Sequence, residues 1–398
     1  MPNIRLSAIA AMAAAALPAM EARSQALTTL YSFAGGSDGA NPGAALLYEN
    51  GALFGTTLVG GTGGQGTVFK VDPTTGGETV LHNFAPGTDG QNPSGALILF
   101  RGALFGTTSG GGGGSNCYNA GCGTVFRIDP ATGTEKIVYR FAGGSDGGFP
   151  FAGVTAHGGA LYGTTGYFGA GYGTVFKLDP ATGAETALHV FAQSDGHQPY
   201  AQLVMRGDAL FGTTEAGGNA GCAQEGCGTI FKIDPATGDE TTPHLFASTP
   251  DGASPLAGLS ADGGKFYGTT AWGGAASFGA VFKIDIRTGV EKVLYSFNGR
   301  KDGGNPTAGL LHEGGALYGT ASLGGTFNKN CVGGDQSVGC GTIFKIDPKT
   351  GASTVLWRFS GPDGATPTGA LITRNGALYG TTSAGGSTGN GTIFKLTP

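Results

Sequence analysis

The sequence predicts an all-β, seven-bladed β-propeller with four antiparallel strands in each blade. Three observations carry this prediction. Short motifs each recur seven times, every interval between them holds four strand-like runs, and the two ends of the chain supply complementary parts of one unit.

The first motif is "GTT" or its near match, with its glycine at Gly55, Gly106, Gly163, Gly212, Gly268, Gly319 and Gly380. The second is "GTVF", "GTIF" or "GAVF", ending at Phe69, Phe126, Phe176, Phe231, Phe282, Phe344 and Phe394. The third is "DG-x-x-P", beginning at Asp38, Asp89, Asp146, Asp195, Asp251, Asp302 and Asp363. The three longest intervals between GTT glycines are those holding the cysteine pairs Cys117/Cys122, Cys222/Cys227 and Cys331/Cys340. The Gly-rich cysteine loops are therefore insertions in repeats, not a separate motif.

Within one copy, "SGALILF" from Ser94 is the first strand and "GALFGTT" the second, joined by a tight turn at Arg101-Gly102. "GTVFRID" is the third and "EKIVYRF" the fourth. All are rich in Val, Ile, Thr, Phe and Tyr and are bounded by Gly, Pro and Asp. Between the last two lies "DPATG", where Asp129 can accept a following N–H, Pro130 presets φ and Gly133 takes a positive φ. The glycine inside each "LFGTT" marks a close approach, expected here from a phenylalanine of the adjacent blade. The last copy stops after its third strand, and "LTTLYSF" (27–33) is an orphan fourth strand at the start. Residues 27–33 are expected to complete the last blade and close the ring, where a linear solenoid would need capping repeats.

Composition agrees. Charged residues are 12% and Gly fills 80 positions, yet there is no Gly-X-Y period and strand runs extend throughout, so collagen and disorder are excluded. Net charge is −5 with Lys and Arg scattered singly, which argues against nucleic acid and anionic membranes as partners.

Residues 1–26 read as a signal peptide: Arg5, an apolar run from Leu6 to Ala19, and a Ser24-Gln25-Ala26 exit. The mature chain, 27–398, is expected to be exported to the periplasm or the exterior, not inserted in a membrane, and monomeric. Cysteines paired within single loops then read as local disulfides. Their spacing lacks the tight ligand pairs and neighbouring histidines of a zinc site, and neither metal nor cofactor is expected.

The pattern "ALYGTT…GG…GTVFKIDP.TG.E..L..F…DG..P" resembles the GloVer tandem repeat, the "choice-of-anchor" group of exported bacterial proteins. The resemblance covers essentially residues 27–398. It implies an exported, propeller-like repeat protein and carries no activity to any residue. Members commonly end in a sorting or anchoring segment; this chain ends at Pro398 directly after a strand, so anchoring by that route is not expected.

With the first strand lining the axis, the DG-x-x-P loops and the Gly/Cys loops share one face, the upper one. The near-uniform turns lie below, so recognition is expected above, where the loops vary. The five glycines before Ser115 do not make a P-loop, which needs Gly-Lys-Ser/Thr leading into a helix. The seven aspartates are expected to cap their own turns; a carboxylate ring around the channel would be self-repelling and short of calcium ligands.

His82, His189 and His244 occupy a slot filled by Tyr31, Tyr139, Tyr295 and Trp357 in other copies and read as packing residues. His157 and His312 fall at lower turns. His197 is unmatched on the upper face and joins the candidate binding residues. No G-x-S-x-G or H-E-x-x-H occurs, and no catalytic residue is assigned. A glycosidase pair would have to come from loop residues such as Glu215 and Glu225, which read more simply as solvated charges. The remaining candidates are unmatched upper-loop aromatics: Tyr118, Tyr167, Phe168, Tyr172, Trp272 and Phe278. They can stack on a sugar or anchor a protein.

The leading expectation is a non-catalytic module binding a glycan or protein on the upper face. A polysaccharide hydrolase or lyase working at the channel mouth and a structural envelope or matrix protein are the alternatives.

Overall fold

The computed structural model describes residues 25–398 apart from 115, 119, 170, 219–220, 223–224 and 332–336. The expected leader falls almost wholly outside this range. The described chain forms seven four-stranded antiparallel sheets arranged as a ring. Blade 1 is Leu47–Glu49, Ala52–Thr57, Thr67–Val71 and Glu78–Asn83; blade 3 is Thr155–His157, Ala160–Thr165, Thr174–Leu178 and Glu185–Val190. The first and fourth strands are Ile98–Phe100 and Glu135–Arg140 in blade 2, Val204–Arg206 and Glu240–Leu245 in blade 4, Ser260–Asp262 and Glu291–Ser296 in blade 5, and Leu311–Glu313 and Ser353–Arg358 in blade 6. In each, the short inner strand faces the axis. Blade 7 takes its outer strand from the start of the chain: Ala26–Ser32 pairs with Thr392–Thr397, from Ala26 opposite Thr397 to Ser32 opposite Thr392. The closing strand thus begins one residue earlier than the sequence placed it, and Phe33 follows it as core.

Each letter of "GTT" has a separate physical duty. The glycine lies directly across from the phenylalanine of the next strand in its own blade, as in Gly55 opposite Phe69. A Cβ on Gly55 would meet the tip of that ring at 2.5 Å. The expected neighbour was a phenylalanine of the adjacent blade; the cross-strand one occupies the space because it folds its ring over the bare glycine. The adjacent blade then packs on that ring's other side. Seven such inter-blade pairs, from Phe33–Phe69 round to Phe359–Phe394, have centroids 5.0–5.3 Å apart.

In every blade but the first, whose Thr56 hydroxyl makes no hydrogen bond, the first threonine reaches the next blade: Thr107 Oγ1 donates to the Ala152 carbonyl at 2.8 Å, and Thr381 Oγ1 crosses the seam to Ala44 at 3.1 Å. The second threonine pairs with the threonine opening the third strand, as Thr57 with Thr67 at 2.8 Å. These hydroxyls are buried, so each must find a partner or cost a desolvation penalty. The lower turns behave as their sequence requires. Asp129 Oδ1 accepts from Ala131 N at 2.8 Å and Gly133 has φ of 71°.

The DG aspartates do cap their loops. Asp38 accepts from Ala34 N at 2.7 Å, Asp146 from Ala142 N at 2.7 Å and Asp363 from Ser360 N at 2.8 Å. The aromatic slot does more than pack. In every blade but the first its residue donates to the same aspartate, for example through Tyr31 Oη at 3.0 Å, Trp357 Nε1 at 2.8 Å or His189 Nε2 at 3.0 Å; His82 Nε2 stands 3.4 Å from Asp89 without that bond. A bulge in the fourth strand of every blade turns the slot residue toward this aspartate. The sequence showed a slot accepting Tyr, His or Trp, and the common factor is a ring with a polar hydrogen. His312 instead stacks on Tyr267 at 5.9 Å.

All three disulfides form: Cys117–Cys122, Cys222–Cys227 and Cys331–Cys340. Among the described residues, no helix is long and apolar enough to cross a membrane. Three closed disulfides are the chemistry of an oxidising compartment outside the cytoplasm.

Candidate functional site

On the upper face each DG-x-x-P loop is laced between two neighbouring blades. Phe149 N donates to Cys122 O of blade 2, and Gly148 forms a bridge with Tyr167 of blade 3. The residue before each proline is forced to a positive φ: Asn41 58°, Asn92 55°, Phe149 57°, Gln198 58°, Ser254 55°, Asn305 53° and Thr366 54°. Asn tolerates that region through its short polar side chain; a bulky aromatic there is strained. Blade 3 nevertheless places Phe149 at this position. It also places Phe168, with φ of 64°, where the other copies have Gly60, Gly111, Gly217, Gly273, Gly324 and Gly385. Tyr118, in the blade 2 cysteine loop, has φ of 53° and is 85% exposed.

These three strained rings meet. Tyr118 lies parallel to Phe149, 5° between planes at 6.5 Å, and 5.9 Å from Phe168. Phe149 and Phe168 are 5.5 Å apart. Phe149 and Phe168 pack against the buried Cys117–Cys122 bridge, which fixes the loop that carries Tyr118. The rings then descend inward. Phe149 leads to Tyr167 at 5.9 Å and to Phe151 at 6.3 Å, and Phe151 meets Tyr200 edge-on at 5.0 Å. Phe151 and Tyr200 line the channel mouth together with small residues such as Gly95, Ala201 and Gly258. The result is a half-buried aromatic ramp running from the rim of blade 2 to the axis at blade 4.

Polar groups lie along it. Tyr200 Oη donates to Tyr167 Oη at 2.7 Å, and Gln198 Nε2 donates to the same oxygen at 2.9 Å. Burial, then this hydrogen bond, pushes the Tyr200 hydroxyl well above its ordinary value, so it stays a neutral donor. Glu215 borders Tyr200; burial and then the charge of Glu225 push its carboxyl up. Tyr172 meets His197 with the rings tilted by 60° at 5.7 Å, and His197 Nε2 donates to the Glu225 carbonyl at 3.2 Å. Among the described residues, no Lys or Arg lines the channel mouth.

Of the sequence candidates, the fold gathers Tyr118, Tyr167 and Phe168 on the ramp and sets Tyr172 and His197 beside it. Trp272 and Phe278 lie apart, on blade 5. Trp272 is 48% exposed, whereas Phe278 lies against the backbone of Gly299 and Gly304 and covers its neighbouring loop. Sequence reasoning missed Phe149, Phe151, Gln198 and Tyr200. The signal was available: the positions flanking the loop proline hold Asn, Ser, Thr, Gly or Leu in other copies, but Phe149 and Phe151 in one of these two and Gln198 and Tyr200 in the other.

Several solved structures share the fold. An oligogalacturonate lyase in complex with manganese aligns at TM-score 0.56 and 15% identity, over 93% of this chain and 92% of that one. An oligogalacturonate lyase from Vibrio parahaemolyticus aligns at 0.53 and 10% identity over 93% of each chain. A chain of the mitotic checkpoint complex aligns at 0.56 and 12% identity over 99% and 98%. Proteins so unlike in role share the architecture alone. No curated protein matches the sequence. The Gloeobacter/Verrucomicrobia repeat matches at residues 19–171 and 113–332, across most of the seven-copy array just described. The chain belongs to the Gloeobacter/Verrucomicrobia repeat family.

Proposed function

We propose that this is an exported, non-catalytic propeller that binds a carbohydrate chain along the aromatic ramp of blades 2 to 4. The observation that carries the reading is the expenditure of backbone strain. Tyr118, Phe149 and Phe168 all hold left-handed conformations, and Phe168 stands where the repeat otherwise uses glycine. Each such residue costs on the order of 1–3 kcal/mol, and strain of this kind persists at ligand clamps. The rings offer faces for sugar stacking, while the Tyr167 and Tyr200 hydroxyls, the Gln198 amide and Glu215 offer donors and acceptors at the ring edge. The described lining of the channel mouth carries only uncharged side chains, which favours a neutral saccharide over a polyuronate.

A glycan array followed by calorimetry on the best hit tests this. Tyr118→Ala is expected to weaken binding at least tenfold, and Trp272→Ala to leave it unchanged. Phe168→Gly restores the repeat's own residue; it should weaken binding while stabilising the fold by about 1 kcal/mol. Hits insensitive to Tyr118 and Phe168 would defeat the reading. Cleavage of a bound saccharide, lost in Glu215→Gln, would replace it with the hydrolase or lyase alternative.

A further inference from the structure

Each pair of adjacent blades encloses a wedge at the outer rim. It is formed by the slot residue of one blade, the aspartate it faces, and the residue opening the fourth strand of the next blade. In most wedges the third member is a glutamate. Its Oε1 is enclosed without a hydrogen-bond partner at Glu78, Glu135, Glu185 and Glu291. In the wedge between blades 5 and 6 it is Ser353, and between blades 6 and 7 Leu27 of the closing strand packs on the same core as Trp357.

We propose that two of these wedges, His82–Asp89–Glu135 and His189–Asp195–Glu240, bind a divalent transition metal, with Zn²⁺ the best fit, clamping blade 1 to blade 2 and blade 3 to blade 4. In both, the His nitrogen and the two carboxylate oxygens lie within 4.8 Å of one another. His82 Nε2 sits 3.4 Å from Asp89 Oδ2 without a hydrogen bond between them, and Glu135 Oε1 beside it is also unpartnered. That separation matches the edge of a tetrahedron whose metal–ligand bonds are about 2.0–2.1 Å. Asp89 is already oriented by the N–H groups of Ala85 and Gly90, and the His82 ring by Phe84 at 4.7 Å, which is the outer-shell support a ligand needs. One imidazole and two carboxylates suit Zn²⁺ or Co²⁺, and the partial exposure of His82 and Asp89 leaves room for a fourth, water ligand. His189 and His244 each donate to their aspartate, at 3.0 and 3.2 Å, but only the His189 wedge brings a third ligand atom within reach, and the His244 wedge is not one of the two in which three ligand atoms converge. The cysteine spacing gave no hint of this, because the ligands come from two repeats and three separate segments.

The fold supplies its own control. Tyrosine fills the same slot in three other wedges, so His82→Tyr and His189→Tyr remove the nitrogen ligand while keeping a donor to the aspartate. Full-length mature protein is stripped with chelator, loaded with Zn²⁺ at about pH 8, gel-filtered and assayed for metal; Co²⁺ loading is followed by its visible absorption. The expected result is one metal lost per single variant and two per double variant, together with loss of the Zn²⁺-induced rise in Tm. Glu135→Gln should weaken uptake at the first wedge at least tenfold. Metal content unchanged in His82→Tyr/His189→Tyr, or no uptake by the wild type from micromolar Zn²⁺, would overturn the proposal.

Discussion

A single glycine shows how tightly this repeat is specified. Gly212 lies across from Phe231, and a Cβ placed on it would stand 2.4 Å from that ring and 2.9 Å from Leu203. Neither can retreat, since Phe231 is fully buried against Phe191 of the preceding blade. Gly212→Ala is therefore expected to destabilise the fold by about 1–3 kcal/mol, read as a fall in Tm with the ramp's ligand affinity retained. Phe168 is the opposite case, a bulky ring where glycine would be cheaper. Both residues were visible in the sequence, but only one was interpretable there. The recurrence of Gly212 in seven copies announced a steric demand. The meaning of Phe168 depended on the sign of φ, which no spacing reveals.

At the level of strands and loops, the wedges set the response to pH. Burial pushes the carboxyls of Glu78, Glu185 and Glu291 up to about 7, with the nearby Asp38, Asp146 and Asp251 charges adding to the effect. In the unfolded chain these groups release their protons near 4.5. Between the two values the folded state holds protons that the unfolded state has lost. Their contribution to stability is complete below about 4.5 and disappears as the pH rises through about 7. His244, depressed mainly by burial, acts in the other direction but is one group against three. Tm is expected to be higher at about pH 5.5 than at about pH 8, and Glu78→Gln/Glu185→Gln/Glu291→Gln should narrow the difference. An equal gap in wild type and variant would refute this. The strands themselves were legible from alternation and turn residues. The wedges were not, because slot, aspartate and glutamate are contributed by two copies and meet only after the blades stack.

For the whole molecule, the decisive contact is the seam. Blade 7 is completed by Ala26–Ser32, and the Phe33–Phe69 pair and the Thr381 hydroxyl bond to Ala44 join it to blade 1. Removing residues 26–33 leaves Thr392–Thr397 as an open edge and strips a ring from the Phe69 pocket. The shortened chain is expected to lose its single cooperative transition by circular dichroism and to self-associate on gel filtration. Monomeric, two-state behaviour in that variant would contradict closure by this strand. Ring closure was readable from seven copies with displaced ends. The ramp was legible only in part, since three of its rings stood out as unmatched aromatics while the flanking residues of the loop prolines did not.

The seam also fixes how the molecule answers to tension. Ala26 and Thr397 face each other across the same antiparallel ladder, so a pull on both ends loads the first hydrogen bond alone, then the next. The closure peels like a zipper rather than shearing as a block. If the chain ever bridges a surface and a load, its mechanical weak point is at its own extremities, and the aromatic loops of blades 2 to 4 are among the last parts to feel the force.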